Sequence, residues 1–215
     1  MKKFALIFGA LAALLILFLV IFGIGLMVSY NGMNSRSKQV DNKWAQVQND
    51  YQRRADLIPN LVNTVSGAAN FEKSTLTEIV AARASVGQVK IDPNTAPTNP
   101  ADLANFQRAQ NQLGSALSRL LVVSERYPEL KASSNFRDLQ AQLEGTENRI
   151  AVARKDFNDA VVNYNTRISS FPAVLYAGIF HFKEKPYFQA TAGSEVPPKV
   201  QFDFNSKSAT ATNKP

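Results

Sequence analysis

Apolar side chains divide the chain into one continuous block followed by several periodic stripes. Residues 4–28 carry no charge and are almost wholly apolar. As a helix they would span about 37 Å, more than the roughly 30 Å of a bilayer core. A secretory signal has a shorter apolar core and a small-residue cleavage site, so this block predicts an uncleaved transmembrane helix. Beyond it, Val40, Trp44, Val47, Tyr51, Ala55, Ile58, Val62 and Val65 recur at steps of three and four, the spacing of one helical face. A second stripe holds Leu76, Ile79, Val80, Arg83 and Val86. The third runs Leu103, Phe106, Gln110, Leu113, Leu117, Leu120, Ser124 and Tyr127. The longest runs Leu139, Leu143, Thr146, Ile150, Ala153, Phe157, Ala160, Tyr164, Ile168 and Phe171.

Local signals set the expected boundaries. The first soluble helix covers residues 35–68, separate from the anchor or continuous with it, and Pro59 within it removes the amide that would bond the Ala55 carbonyl, which predicts a kink or break over residues 56–60. Gly67 and Asn70 mark a turn. The second helix covers residues 71–86, or starts later at the capping-box spacing of Thr75 and Glu78, with a stop at Gly87. Residues 88–100 hold Pro93, Pro97 and Pro100 and predict an exposed, mobile loop. Asn99, Pro100 and Asp102 then give a cap, a first-turn proline and a carboxylate at the positive end of the dipole. Pro128 closes the third helix, Asn135 with Asp138 opens the fourth, and Pro172 ends it. The expected fold is all-α: a short basic N-terminus at residues 1–3, a single transmembrane helix at 4–28, a long antiparallel four-helix bundle with left-handed packing within 30–188, and an extended, largely disordered tail at 189–215.

Composition narrows the chemistry. The absence of cysteine excludes disulfides, thiol nucleophiles, Fe–S clusters and cysteine zinc sites. The single histidine, His181, excludes a di-iron bundle with its paired Glu-x-x-His motifs and leaves a Ser-His-Asp triad improbable. No phosphate-binding loop spacing occurs. The expectation is therefore no catalytic site, no metal and no cofactor. Net charge is +7; apart from Lys2 and Lys3 the chain carries 22 basic and 17 acidic residues, well mixed. Such mixing suits a solvated surface with mild attraction to anionic lipid, and no nucleic-acid partner. Flanking charges are nearly balanced, with Lys2 and Lys3 before the span and Arg36, Lys38 and Lys43 after it. The short lysine-bearing N-terminus favours a signal-anchor, with the bundle on the non-cytoplasmic side.

Candidate sites fall in two places. Arg53, Arg54 and Asp56 could bind an acidic partner or lipid head group, or form an interhelical ion-pair network with Glu147 or Asp156; the structural alternative is favoured. Asn60, Asn63, Asn148, Asn163 and Asn165 lie near the apolar stripes and could satisfy the carbonyl freed by Pro59, fix helix partnering, or line a polar cavity. Phe171, Tyr176, Phe180, Phe182, Tyr187 and Phe188, with Lys183 and Lys185, form an aromatic end that either caps the bundle or makes an interfacial belt.

The stretch Arg53-Arg54-Ala55-Asp56-Leu57-Ile58-Pro59-Asn60-Leu61, preceded by Tyr30-Asn31, resembles the signature of the bacterial LemA family. The resemblance continues through Asn148, Tyr164-Asn165, Phe171-Pro172, Ala177 and Pro186-Tyr187-Phe188, and departs at Val174, where asparagine is usual, and at His181, where glycine is usual. It implies a single-span inner-membrane protein with a helical domain, working alongside a membrane protease or envelope-stress system. The functional expectation is a self-associating scaffold or adaptor; the alternative is a lipid- or peptide-binding module at the membrane surface.

Overall fold

The computed structural model describes residues 2–67 and 71–190. It contains α1 (Lys2–Ser66), α2 (Lys73–Gln88), α3 (Pro100–Ser124), α4 (Pro128–Ala132), α5 (Ser134–Ser169) and α6 (Ala173–Ala177), with no strand among the described residues. The fold is all-α, and α1 carries the long apolar run. At 65 residues, α1 is about 98 Å long, and it passes without interruption from the apolar run into the folded domain. From Phe4 to Phe22 its large apolar side chains are exposed.

Charged pairs give the directions of the remaining helices. Lys43 meets Asp156 at 2.7 Å and Arg54 meets Glu147 at 2.6 Å, so α5 runs antiparallel to the soluble part of α1. Arg119–Glu78 at 2.8 Å and Arg126–Glu72 at 3.3 Å do the same for α3 against α2. The exposed members of this set contribute little energy. The stripes supply that energy, at about 25 cal/mol per Å² of apolar surface buried. One core, nearer the apolar run, gathers Met33, Val40, Trp44, Val47 and Tyr51 of α1 with Leu103 and Phe106 of α3, the second half of α5, Ala173 and Ala177 of α6, and Phe188. The other gathers Ile58, Leu61 and Val65 with Ile79 of α2, Leu113, Leu117 and Leu120 of α3, Leu130, and Phe136 and Leu143 of α5.

Several expectations change. α1 is not broken at Pro59 but stays helical through it, and Arg83 Nε of α2 donates to the Ala55 oxygen that Pro59 leaves unbonded, at 3.4 Å. Gly87 lies inside α2, which stops at Gln88. Thr75 is buried within that helix rather than capping it, and Val80 is exposed. Pro128 opens the short α4 instead of merely closing α3. Asn99 does cap α3, its Oδ1 accepting the Ala101 amide at 3.0 Å.

The largest correction concerns residues 89–99. This segment is not a free loop but packs back onto α1. Trp44 Nε1 donates to the Asp92 carbonyl at 2.9 Å, and Asp41 accepts the Ala96 amide at 3.1 Å. Ala96 is buried, and Val89 and Ile91 pack against the proximal core. α2 is only 16 residues long, so the proximal half is closed by irregular chain where the distal half has a fourth helix. Asn70 and residues 191–215 of the expected tail lie outside the described residues.

Candidate functional site

Arg54 sits where the two cores meet. It is 3% exposed, and its Nη1 donates to Glu147 at 2.6 Å while Nη2 donates to the Gln110 carbonyl at 3.2 Å and to Gln110 Oε1. Its guanidinium lies 5.0 Å from the Tyr51 ring centre. One cation thus ties α1, α3 and α5 at a single level, in keeping with the ion-pair alternative for this cluster. A buried charge is tolerable only when paired and hydrogen-bonded, so the network fixes which residues of three helices lie opposite one another. Burial pushes the Tyr51 hydroxyl above its ordinary pKa, opposed by the nearby Arg154 and Arg54 charges. The other signature residues diverge: Arg53, Asp56, Pro59 and Asn60 are exposed, and Asp56 accepts only a local bond from Gln52 at 2.7 Å.

The asparagines serve a purpose the periodicity did not reveal. Asn165 Nδ2 donates to the Lys185 carbonyl at 2.9 Å, and its Oδ1 accepts the Lys185 amide at 3.0 Å. Seven residues earlier, Asn158 makes the same pair of bonds with Phe188, at 3.0 and 2.9 Å. Tyr164 donates to the Lys183 carbonyl, and Gln107 and Arg154 hold the Gln189 carbonyl. Residues 183–189 are therefore laced in extended form along α5. Asn165 is not the partner of the carbonyl freed by Pro59. The strap delivers Phe188 into the core against Trp44 and Phe157 and carries Lys185 to Asp41 at 2.7 Å.

The aromatic end divides into a buried and an exposed set. Ala173, Ala177 and Phe188 are buried, whereas Phe171 is 80% exposed and Val174, Leu175 and Ile179 are also open. Pro172 is exposed, Phe180 is at the margin of exposure, and Tyr187 is exposed while receiving a bond from Asn165 at 3.0 Å. This collar packs on the end of the apolar run. Tyr176 meets Phe22 at 5.8 Å between ring centres, and Tyr30 meets Phe180 at 5.0 Å and Phe182 at 5.8 Å. His181 adopts φ 60°, the left-handed region that glycine occupies with least strain. That is the position where the resemblance implies glycine.

Among the described residues no group of three or more His, Cys, Asp or Glu could hold a metal ion. A groove of about 880 Å³ between α2 and α3 is lined by Glu78, Ser85, Gln107, Arg108 and Asn111, among others.

The family model described as LemA family matches residues 43–202, well over half the chain. The protein belongs to the LemA family. Magnetosome protein MamQ 2 of Paramagnetospirillum magneticum is 35% identical over 89 residues, covering 41% of this chain and 33% of that relative. MamQ of Magnetospirillum gryphiswaldense is 32% identical over 89 residues, with the same coverage. Protein LemA of Metamycoplasma hominis is 23% identical over 141 residues, 66% of this chain and 60% of the relative. The chain spans about a third of the length of the MamQ relatives. None of these names is that of an enzyme. With its exposed apolar helix, this LemA-family chain is a membrane-associated protein.

Proposed function

We propose that the protein is a non-catalytic, membrane-anchored scaffold of the bacterial inner membrane. Its proximal collar is seated in the lipid interface, and its distal helices face protein partners. The observation that carries this reading is the contact between Tyr176 and Phe22. Phe22 lies within the apolar run, six residues before Val28. The folded domain therefore packs on the anchor itself instead of hanging from a linker. The 4–28 run spans the hydrocarbon thickness with about 7 Å to spare, and Phe22, about 9 Å of helix before Val28, puts the Tyr176 contact at the edge of the acyl-chain layer. Exposed Phe171, Val174, Leu175 and Ile179 suit lipid at that depth better than water, since each apolar side chain moved out of water gains about 1.5–3 kcal/mol when fully buried.

The distal end of α1, at Ser66, stands about 57 Å of helix beyond Val28, so a partner bound there is held at a set height. The partner class is a membrane protease or envelope-stress protein, together with further copies of this chain. The bundle lies on the non-cytoplasmic side. A cysteine introduced at Ser35 would be the chain's sole thiol, and an impermeant maleimide should label it in intact spheroplasts. Labelling only after lysis would reverse the orientation.

Crosslinking in intact membranes tests the scaffold reading, with photoreactive residues at exposed Val80 of α2 and Val122 of α3 and at Phe180. One recurring partner protein is expected from the α2 and α3 positions, and lipid from Phe180. Crosslinks to lipid and self alone would contradict a scaffold for other proteins.

A further inference from the structure

We propose that the membrane-proximal end of the bundle holds the phosphate of an anionic phospholipid, between Arg36 and Arg167 and beside Gly32 and Ser29. The proposal deepens the reading above and depends on this end lying at the lipid interface.

Ser29, Gly32 and Arg36 follow one another at steps of three and four along α1, so they share a face. Arg36 Nη1 reaches only the Gly32 carbonyl, at 3.4 Å. Arg167 comes from the last turn of α5, and its guanidinium lies over Gly32: a Cβ built there would sit 3.4 Å from Nη2 and 3.5 Å from Nε. Both guanidinium groups thus approach Gly32, a residue without a side chain. Among the described residues, the Arg167 Nε and the Ser29 Oγ are both buried without a hydrogen-bond partner, and Ser29 is itself 4% exposed. Buried donors normally find partners, and an unpartnered cation is costlier still.

Among the described residues no carboxylate pairs with Arg36 or Arg167. Residues 29–40 and 160–183 contain no Asp or Glu, yet they hold Arg36, Lys38, Arg167 and Lys183. Elsewhere the chain neutralises its buried cations, Arg54 with Glu147 and Lys185 with Asp41. Depth supplies the missing anion. Gly32 lies four residues past Val28, about 6 Å beyond the apolar run, where lipid phosphates lie. A guanidinium fork matches two phosphate oxygens, a serine hydroxyl can donate to another, and exposed Leu175 and Ile179 offer the acyl chains a surface. Two uncompensated charges favour a head group with net negative charge over a zwitterionic one.

Native mass spectrometry of the full chain in detergent, with dioleoyl-phosphatidylglycerol or dioleoyl-phosphatidylcholine added, provides the test. The wild-type chain should retain one phosphatidylglycerol in preference to phosphatidylcholine. Arg36→Gln/Arg167→Gln should weaken that retention at least about tenfold, while Lys38→Gln, an exposed cation nearby, should change it less than about twofold. Equal loss in Lys38→Gln, or none in the double variant, would overturn the site. Should the double variant fail to fold, the wild-type melting temperature decides: a rise with phosphatidylglycerol but not with phosphatidylcholine supports the site, and equal rises sink it. Inorganic phosphate that displaces the lipid and raises the melting temperature equally would make it a free-phosphate site instead. Loss of lipid preference with lipid crosslinks at Phe180 intact would defeat this proposal and leave the scaffold reading standing.

Discussion

The two halves of the bundle bury similar helix faces but close them differently. The distal half is mostly aliphatic, with Leu61, Ile79, Leu113, Leu117 and Leu120 meeting across α1, α2 and α3. The proximal half is built on Trp44, Phe106, Phe157, Tyr164 and Phe188 and sealed by non-helical segments on two sides. Irregular chain stands there in place of a fourth helix, and α6 lies against the anchor. The distal half is closed by helices; the proximal half is closed by chain pinned through side-chain hydrogen bonds.

The largest blow to that contrast is Trp44→Ala. Trp44 is fully buried and touches Phe106, Phe157 and Phe188, so its loss should cost about 3–5 kcal/mol by chemical denaturation. Amides of residues 89–99 should exchange faster than those of α2. Asn165→Ala sharpens the same point at one clamp. It removes both bonds to Lys185 and should cost about 1–3 kcal/mol, with the Lys185 amide losing its protection from hydrogen exchange first.

Pro59 and Arg83 probe the distal half. Arg83→Ala should cost about 0.5–1.5 kcal/mol by exposing the Ala55 carbonyl. In a Pro59→Ala background the restored amide takes that carbonyl, so the cost of Arg83→Ala should fall toward zero. A double-mutant cycle reads the difference. Smaller again, His181→Gly should raise stability by a few tenths of a kcal/mol to about 1, through relief of its positive φ; a decrease in thermal melting would assign His181 a packing role.

The smallest effect is electrostatic. The hydrogen bond and charge of Lys43 hold Asp156 below the usual carboxylate pKa. Because the folded value is the lower one, the stabilisation is present above about pH 4, the ordinary Asp range, and fades as pH falls below it. Both groups are substantially exposed, so Lys43→Met should remove only a slight, salt-sensitive part of the acid dependence of stability.

How much of this was legible depended on whether a residue's partner lay on a periodic face. The α3 and α5 stripes, the anchor and the Asn99 cap could be read directly, because helix packing and capping repeat at fixed spacing. Arg54 with Glu147 was foreseeable as a charge that a mixed helix face cannot leave unpaired. Gln110, on the α3 stripe, carried a signal of the same kind, since an amide on a core face needs a partner. The straps were hidden: residues 89–99 and 183–189 have no periodicity, and backbone bonds to Asn158, Asn165 and Asp41 join positions far apart in sequence. Proline content suggested freedom at 93, 97 and 100 where side-chain anchors impose order. The pairing of Arg83 with the Ala55 carbonyl likewise depends on α2 crossing α1 at one point.

The central claim is that the proximal collar around α6 sits at the lipid interface and the distal helices stand in water. Spin labels on single cysteines at Leu175, Ile179, Val80 and Val122, in the full chain reconstituted into vesicles, test it most directly. Collisional accessibility should report oxygen from the lipid phase at Leu175 and Ile179, and a water-soluble nickel reagent at Val80 and Val122. Water exposure at all four positions would contradict the account.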